Sequence, residues 1–284
     1  MKSCKLPNGE TCYYIDKLSA LKSYEEIFNA CIYENHGLGV KDGDLVFDVG
    51  ANIGMFTRFI SKKAKDLTIY TFEPIPAIFK VQEKNLELIK RTHKFQLFNI
   101  GLGNKEENIE INYYPRAITL SAIIPIDLKL ALKNSLENWD QIIEIVSFAR
   151  FIPKFLRKPF TKLAHKYMFK KKRVPIKVRP LSDIIKETKV NSIDFLKMDA
   201  ENYEWQILQG ISDSDWKLIK QIAMEVHTNI AGGNNLLQKI TNLLLSKDFT
   251  VYHDRIGQSF ATGVYMLFAK KNNLFKSPLN NVYA

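Results

Sequence analysis

The chain has 284 residues, 46% hydrophobic and 12% aromatic, which suits one large domain, or one domain with an insertion, and excludes a disordered protein. No apolar run reaches membrane-spanning length, and MKSCKLPNGETCYY lacks the apolar core and cleavage site of a signal peptide, so the expected location is the cytoplasm. Cys4, Cys12 and Cys31 have neither a disulfide framework nor zinc spacing, and the net charge of +11 is local: Arg150–Arg179 holds twelve Lys/Arg and no Asp/Glu, leaving 29 bases against 30 acids elsewhere.

In chain order, LPNGETCYYI reads as a hairpin turning at Asn8-Gly9. Leu18–Tyr33 has helical apolar spacing and ends at His36-Gly37-Leu38-Gly39. An α/β alternation follows: strand Leu45–Val49, helix Met55–Lys65, strand Thr68–Phe72, helix Ala77–Lys90, strand Phe95–Ile100. Asn108–Tyr113 reads as an extra strand or hairpin arm. From Pro115 to Pro180 the alternation breaks into mixed apolar and basic sequence. It then resumes: Lys177–Leu181 begins a strand, and Ser182 caps a helix over Asp183–Thr188. Strand Ile193–Met198, helix Tyr203–Gln209, strand Gln221–Val226 and helix Asn235–Lys247 come next. Phe249–His253 and Val264–Ala269, joined by Asp254–Gly263, read as a closing antiparallel pair.

This alternation predicts a doubly wound α/β domain with a mostly parallel sheet, over residues 41–284. Residues 1–40 form a hairpin-and-helix cap, and about 115–178 form a basic helical insertion placed as a lid. Ligands in such sheets sit beyond the carboxyl ends of the strands, at the switch point.

The first strand runs into Asp48-Val49-Gly50-Ala51-Asn52-Ile53-Gly54, small residues that let a backbone approach a ligand and turn tightly into a helix. It is neither the dinucleotide GxGxxG, since Asn52 stands where the second glycine belongs, nor a P-loop, since no GK[ST] follows. The second strand ends in Phe72-Glu73-Pro74, where a carboxylate can accept hydrogen bonds from both ribose hydroxyls and Pro74 fixes the loop.

VFDVGANIGMFT, then FEPIPAIF, then IDFLKMDAENYEWQILQG resemble the FkbM-type S-adenosylmethionine-dependent methyltransferases, with their DVGANxG, FEPxP and K(I/M)DxEGxE segments in that order. The resemblance covers about half the chain and implies the seven-stranded Rossmann-like methyltransferase sheet. It implies that Asp48, Gly50, Ala51, Asn52 and Gly54 line the methionine and ribose part of the cofactor and that Glu73 and Pro74 serve the ribose. Asn99, Ile100 and Gly101 are then expected along the adenine, and Asp199 at the cofactor's amino acid end or the reacting centre. The family's glycine after the acidic residue is Asn202 here, which tolerates left-handed backbone.

Methyl transfer from a sulfonium to a hydroxyl needs positioning and a base. His227, at the end of strand Gln221–Val226, is the expected general base, and Glu225, two residues earlier, orients it if the strand end bends. Asp199 and Glu201 are expected to bind the acceptor. With His227 they also resemble an oxygen-rich metal set, so a divalent metal is admitted but not expected. His36, His93, His165 and His253 are read as surface or structural.

The expected reaction is O-methylation of a hydroxyl or carboxyl on a natural-product, polyketide, peptide or sugar acceptor, free or tethered to a carrier protein. The basic stretch Arg150–Arg179 suggests an acidic carrier protein or an anionic membrane surface, with the protein then peripheral to the membrane. Nucleic acid is disfavoured, because the fourth strand ends in Met198-Asp199-Ala200-Glu201 and no NPPY-like loop is present. The competing class is a catalytically silent nucleoside-binding module that docks through the same stretch. Asp199, Glu201 and His227 argue against it, because a dead pocket has no need of them.

Overall fold

The structure is a computed structural model that describes residues 1–90, 92–124, 127–228, 235–255 and 263–272. β1 (Lys2–Lys5) and β2 (Thr11–Tyr14) pair antiparallel around the Asn8-Gly9 turn, where Gly9 takes φ +83°. Asp16 caps α1 (Lys17–Tyr24) by accepting from the Leu18 and Ser19 N–H groups. The expected single helix to Tyr33 stops early. A π-helical turn, Glu25–Asn29, continues α1, and Cys31 at φ +49° leaves helical space. Tyr33 is thereby turned inward and buried.

The main alternation is β3 (Leu45–Val49), α2 (Met55–Ile60), β4 (Thr68–Phe72), α3 (Pro76–Glu87) and β5 (Lys94–Phe98). Next come β6 (Gly101–Leu102), β7 (Glu107–Tyr113), α4 (Leu128–Glu137), α5 (Trp139–Ile145), α6 (Lys154–Met168) and β8 (Lys172–Arg179). The chain closes with α7 (Leu181–Thr188), β9 (Phe195–Met198), α8 (Glu204–Gln209), β10 (Gln221–His227), α9 (Leu236–Ser246), β11 (Phe249–Arg255) and β12 (Val264–Lys271). The connection between β11 and β12 lies largely outside the described residues.

The seven-stranded sheet has the order β11-β12-β10-β9-β3-β4-β5. β3, β4, β5, β9 and β10 are mutually parallel, and β12 runs antiparallel between β10 and β11. Period-two alternation splits the apolar residues between its faces. Val46, Ile69 and Phe195 join one core, while Phe47, Leu196, Met198 and Met224 join the other. Each fully buried Phe, Leu or Ile contributes about 1.5–3 kcal/mol, and helices supply apolar side chains to both cores. From β3 the chain winds outward through β4 and β5, then returns to place β9 on the other side of β3. The switch point therefore lies between β3 and β9.

Two expectations shift. Among its described residues the insertion is α-helical only from α4 to α6, with a 3-10 turn, Ile118–Leu120, before them. Its end is strand β8, which pairs antiparallel with β7 and parallel with β6 in a separate three-stranded sheet. Ser182 does not cap α7: the cap position is Pro180, and Ser182 Oγ instead accepts from the Ser212 N–H at 2.7 Å. Among the described residues no helix is long and apolar enough to cross a membrane.

Candidate active site

A cavity of about 1000 Å³ opens over the carboxyl ends of β3, β4, β9 and β10. Its floor is the turn after β3. Gly50 has φ +71°, and a Cβ there would stand 1.7 Å from the Asp199 carbonyl oxygen, so only glycine lets β3 and the β9 turn approach this closely. Asn52, at φ +50°, is the next left-handed position.

Lys197, a buried lysine in the strand before Asp199, holds the turn together. Its Nζ donates to the carbonyls of Val49 (3.2 Å) and Gly50 (2.9 Å) and pairs with Asp48 at 3.2 Å. Burial works against its charge, but the Asp48 and Asp199 carboxylates outweigh it and hold the lysine above its usual range. Asp48 is itself fully buried, accepts from Thr57 Oγ1 at 2.7 Å, and does not line the cavity. It supports the turn from beneath, where a direct cofactor contact was expected of it, and reaches the cavity only through Lys197 and the turn. Gly54 is also outside the cavity lining and packs toward Gln82 and Leu86.

Glu73, Pro74, Ile100 and Gly101 do line the cavity. The Glu73 carboxylate accepts from the backbone N–H of Ile75 (2.8 Å) and of Asn52 (3.1 Å), which joins the ends of β3 and β4. Burial pushes Glu73 up to about 7 despite these two bonds. Asn99 stands behind this edge and donates its amide to the Glu73 and Pro74 carbonyls. It fixes the loop and does not line the cavity.

Across the switch point, Asp199, Glu201, Glu225 and His227 converge on the same cavity. The backbone puts them there: Glu201 and Asn202 adopt φ +46° and +76°, a left-handed turn that folds the segment after β9 back under His227. The imidazole is held by Glu204, whereas Glu225, expected to orient it if the strand end bends, stands 3.9 Å from the other ring nitrogen. His227 Nδ1 lies 2.7 Å from Glu204, whose carboxylate is fully buried on the first turn of α8. Glu204 is the last acid of the DxEGxE pattern, so the sequence carried the signal without revealing its partner. His227 Nε2 faces Glu201 at 3.6 Å and Glu225 at 3.9 Å.

Glu225 is occupied by Tyr33, whose hydroxyl donates to it at 2.7 Å from the N-terminal cap. No residue pattern in the cap pointed to this contact.

Burial pushes Glu201 up to about 8 and Glu225 up to about 7, with the Asp199 carboxylate adding to both and His227 opposing. Burial alone would lower the His227 imidazole, but Glu204 and Glu201 hold it well above its ordinary value. Burial and the neighbouring charges thus favour the protonated forms of His227, Glu201 and Glu225, which titrate as a coupled group. Asp199, Glu201 and His227 each bring a ligand atom within 4.8 Å of the others, a set that could also take a divalent ion.

The far wall of the cavity comes from the insertion and is apolar: Ile123, Ile142, Val146, Phe160, Met168 and Phe169. His165, expected to be structural or at the surface, also lines it, with its Nε2 3.1 Å from Ser135 Oγ. Burial lowers its affinity for a proton. His36 stacks on Tyr252 and bonds to Asp254, and His93 accepts from the Leu67 N–H, as structural residues do.

Residues 48–251 match the methyltransferase FkbM domain. The chain is 28% identical to 31-O-demethyl-FK506 methyltransferase FkbM of Streptomyces tacrolimicus over 95% of its length and 97% of that protein's. It is 29% identical to Methyltransferase 1 of Beauveria bassiana, covering 81% of this chain and 82% of that one. AMB antimetabolite synthetase AmbE of Pseudomonas aeruginosa is 27% identical over 78% of this chain, a match that spans 10% of the synthetase. The domain match takes in the Gly50 turn, Glu73, the Asp199–Glu204 segment and His227, all placed around one cavity at the switch point, and the chain belongs to the FkbM family of S-adenosylmethionine-dependent methyltransferases.

Proposed function

We propose that this enzyme methylates a hydroxyl oxygen on a largely apolar natural-product acceptor, with His227 and Glu201 taking the proton. The carrying observation is the Glu204–His227–Glu201 arrangement facing the cavity beside the Gly50 turn. The residues present suit the methyl donor. Gly50 and Ala51 leave the floor free of bulk, Glu73 keeps lone pairs for ribose hydroxyls, and the buried Asp199 Oδ1 has no hydrogen-bond partner among the described residues and suits an ammonium. When bound, the donor supplies an activated methyl group on a sulfonium.

The chain's own part is proton handling and placement. Glu204 fixes the imidazole so that Nε2 points at the cavity. Once deprotonated, the His227–Glu201 pair accepts the proton of a hydroxyl seated against it. The apolar insertion wall excludes water and holds the acceptor's carbon skeleton. The relatives favour the same class: one is named for methylating 31-O-demethyl-FK506, and another is a large synthetase in which the matched segment is a tenth of the length. The second suggests an acceptor presented within an assembly system, which fits the tethered acceptor expected from the sequence.

The test is incubation with labelled donor and a panel of hydroxyl and carboxyl acceptors, with S-adenosylhomocysteine release as readout. His227→Ala should lower kcat by about 10²-fold or more while donor binding by calorimetry persists. Undiminished turnover in that variant would point to a carboxylate acceptor, which needs no base. Turnover in EDTA should equal that in buffer; loss restored by Mg²⁺ would assign Asp199, Glu201 and His227 to a metal instead.

A further inference from the structure

The outward face of α6 has no use in methyl transfer, yet its pattern is regular. Lys154, Lys158, Lys162 and Lys166 recur every four residues, so they stack in one exposed row about 5–6 Å apart. Beside this row stand Phe155, Leu163 and Tyr167, 78%, 69% and 63% exposed, with Phe151 just before the helix at 78%. Large side chains are seldom left this open in a group on a helix unless something covers them. Among the described residues, the ion pairs of this region, Lys133–Glu137, Arg173–Glu110 and Lys177–Glu106 among them, involve none of the four lysines. No acid occurs between Arg150 and Arg179 to neutralise the row.

The inner face of the same helix is spent otherwise: Phe160, Thr161, Ala164, His165 and Met168 line the acceptor cavity. Hence α6 separates the cavity from whatever meets its outer face.

We propose that this outer face docks on an anionic membrane surface, with the lysine row against lipid phosphates, Phe151, Phe155 and Leu163 in the acyl boundary, and Tyr167, stacked under the Arg116 guanidinium, at the headgroup level. Charge selects an acidic partner, and the projecting apolar side chains select among acidic partners. A nucleic acid offers phosphates but no apolar layer. A folded acidic protein needs pockets matched to each side chain, whereas a bilayer receives them at any position. A helix with lysines on one side and aromatic and aliphatic residues on the next has the composition of an interfacial helix. Docked this way, the cavity would lie just behind the bilayer surface, where an apolar acceptor resides. The docking depends on the outer face of α6 and on Phe151 just before it, so its failure leaves the methyl-transfer reading intact.

The test is co-sedimentation of the full chain with phosphatidylglycerol/phosphatidylcholine vesicles and with pure phosphatidylcholine vesicles, with an acidic acyl carrier protein and RNA as competing arms. Wild type should partition to the anionic vesicles at least tenfold better than to the neutral ones and be released by salt. Replacing all four lysines with Gln should lower partitioning about 10²-fold or more, since each basic residue near such a surface is worth roughly fivefold. F155S/L163S should lower it about tenfold or more, because both insert apolar area. Unchanged donor binding and thermal unfolding in these surface variants show that the fold is intact. Failure of wild type to sediment with anionic vesicles would overturn the proposal. So would an F155S/L163S variant that sediments like wild type, or salt-sensitive capture by the carrier protein or RNA without vesicle binding.

Discussion

The Glu204 carboxylate holds the His227 imidazole at 2.7 Å across 23 residues of sequence, from the first turn of α8 to the end of β10. One ring nitrogen is thereby fixed and the other faces Glu201 and the cavity. Glu204→Gln keeps the shape but removes the charge that favours the imidazolium. It should lower kcat by about 10²-fold, with the KM for donor nearly unchanged, and lower the apparent pKa of the rate profile. A steady-state pH series on wild type and variant checks this, and equal profiles would leave Glu204 without a role in proton transfer.

The rate should rise with pH. An acid raised to about 8, as Glu201 is, is deprotonated in about a tenth of molecules at pH 7 and in most at pH 9. kcat should therefore increase roughly tenfold from pH 7 to pH 9 and then level. Glu201→Gln should shift that limb to lower pH, because Glu201 also favours the imidazolium of His227. A rate that falls over this interval would exclude the pair as proton acceptor.

Glu225 should tax stability. Its carboxyl is raised to about 7 by burial and Asp199, so the folded state binds more protons than the unfolded one between the ordinary value of 4.5 and 7. By linkage this group's contribution to stability is present below 4.5 and is lost as pH rises to 7. Glu225→Gln cannot ionise and should unfold at a higher temperature than wild type at pH 8, with the gap closing at pH 5. Thermal scans at both values test the sign.

Gly50 and Glu73 should separate scaffold from contact. Gly50→Ala places a Cβ 1.7 Å from the Asp199 carbonyl at a positive φ, so donor binding should vanish and the unfolding temperature should fall. Glu73→Ala should leave the fold measurable by calorimetry and weaken donor binding by about tenfold or more, the scale of lost hydrogen bonds to a charged group. Wild-type affinity in Glu73→Ala would remove it from the donor site.

Lys197 and Asp48 should behave as a structural pair. Removing one partner leaves a buried charge unmatched, and Lys197→Met should destabilise by about 3–5 kcal/mol. Denaturant unfolding measures this directly. A loss under about 1 kcal/mol would show that the three carbonyl and carboxylate partners of Lys197 contribute little.

Local order was legible in the sequence. The run Leu45–Val49 and the run Thr68–Phe72 coincide with strands because β-branched and aromatic residues in short apolar runs have one good use in an α/β domain. The Gly50 turn and Glu73 followed from what must come after such strands, since small residues and a carboxylate at a strand end are decided within a few residues. Tertiary structure decided who meets whom. It turned Asp48 inward onto Lys197, gave His227 to Glu204, brought Tyr33 from the cap to Glu225, and set His165 in the cavity wall. Each of these partnerships spans tens to nearly two hundred residues. Burial, charge and close approach between strand ends select them, and these act only after the sheet has formed.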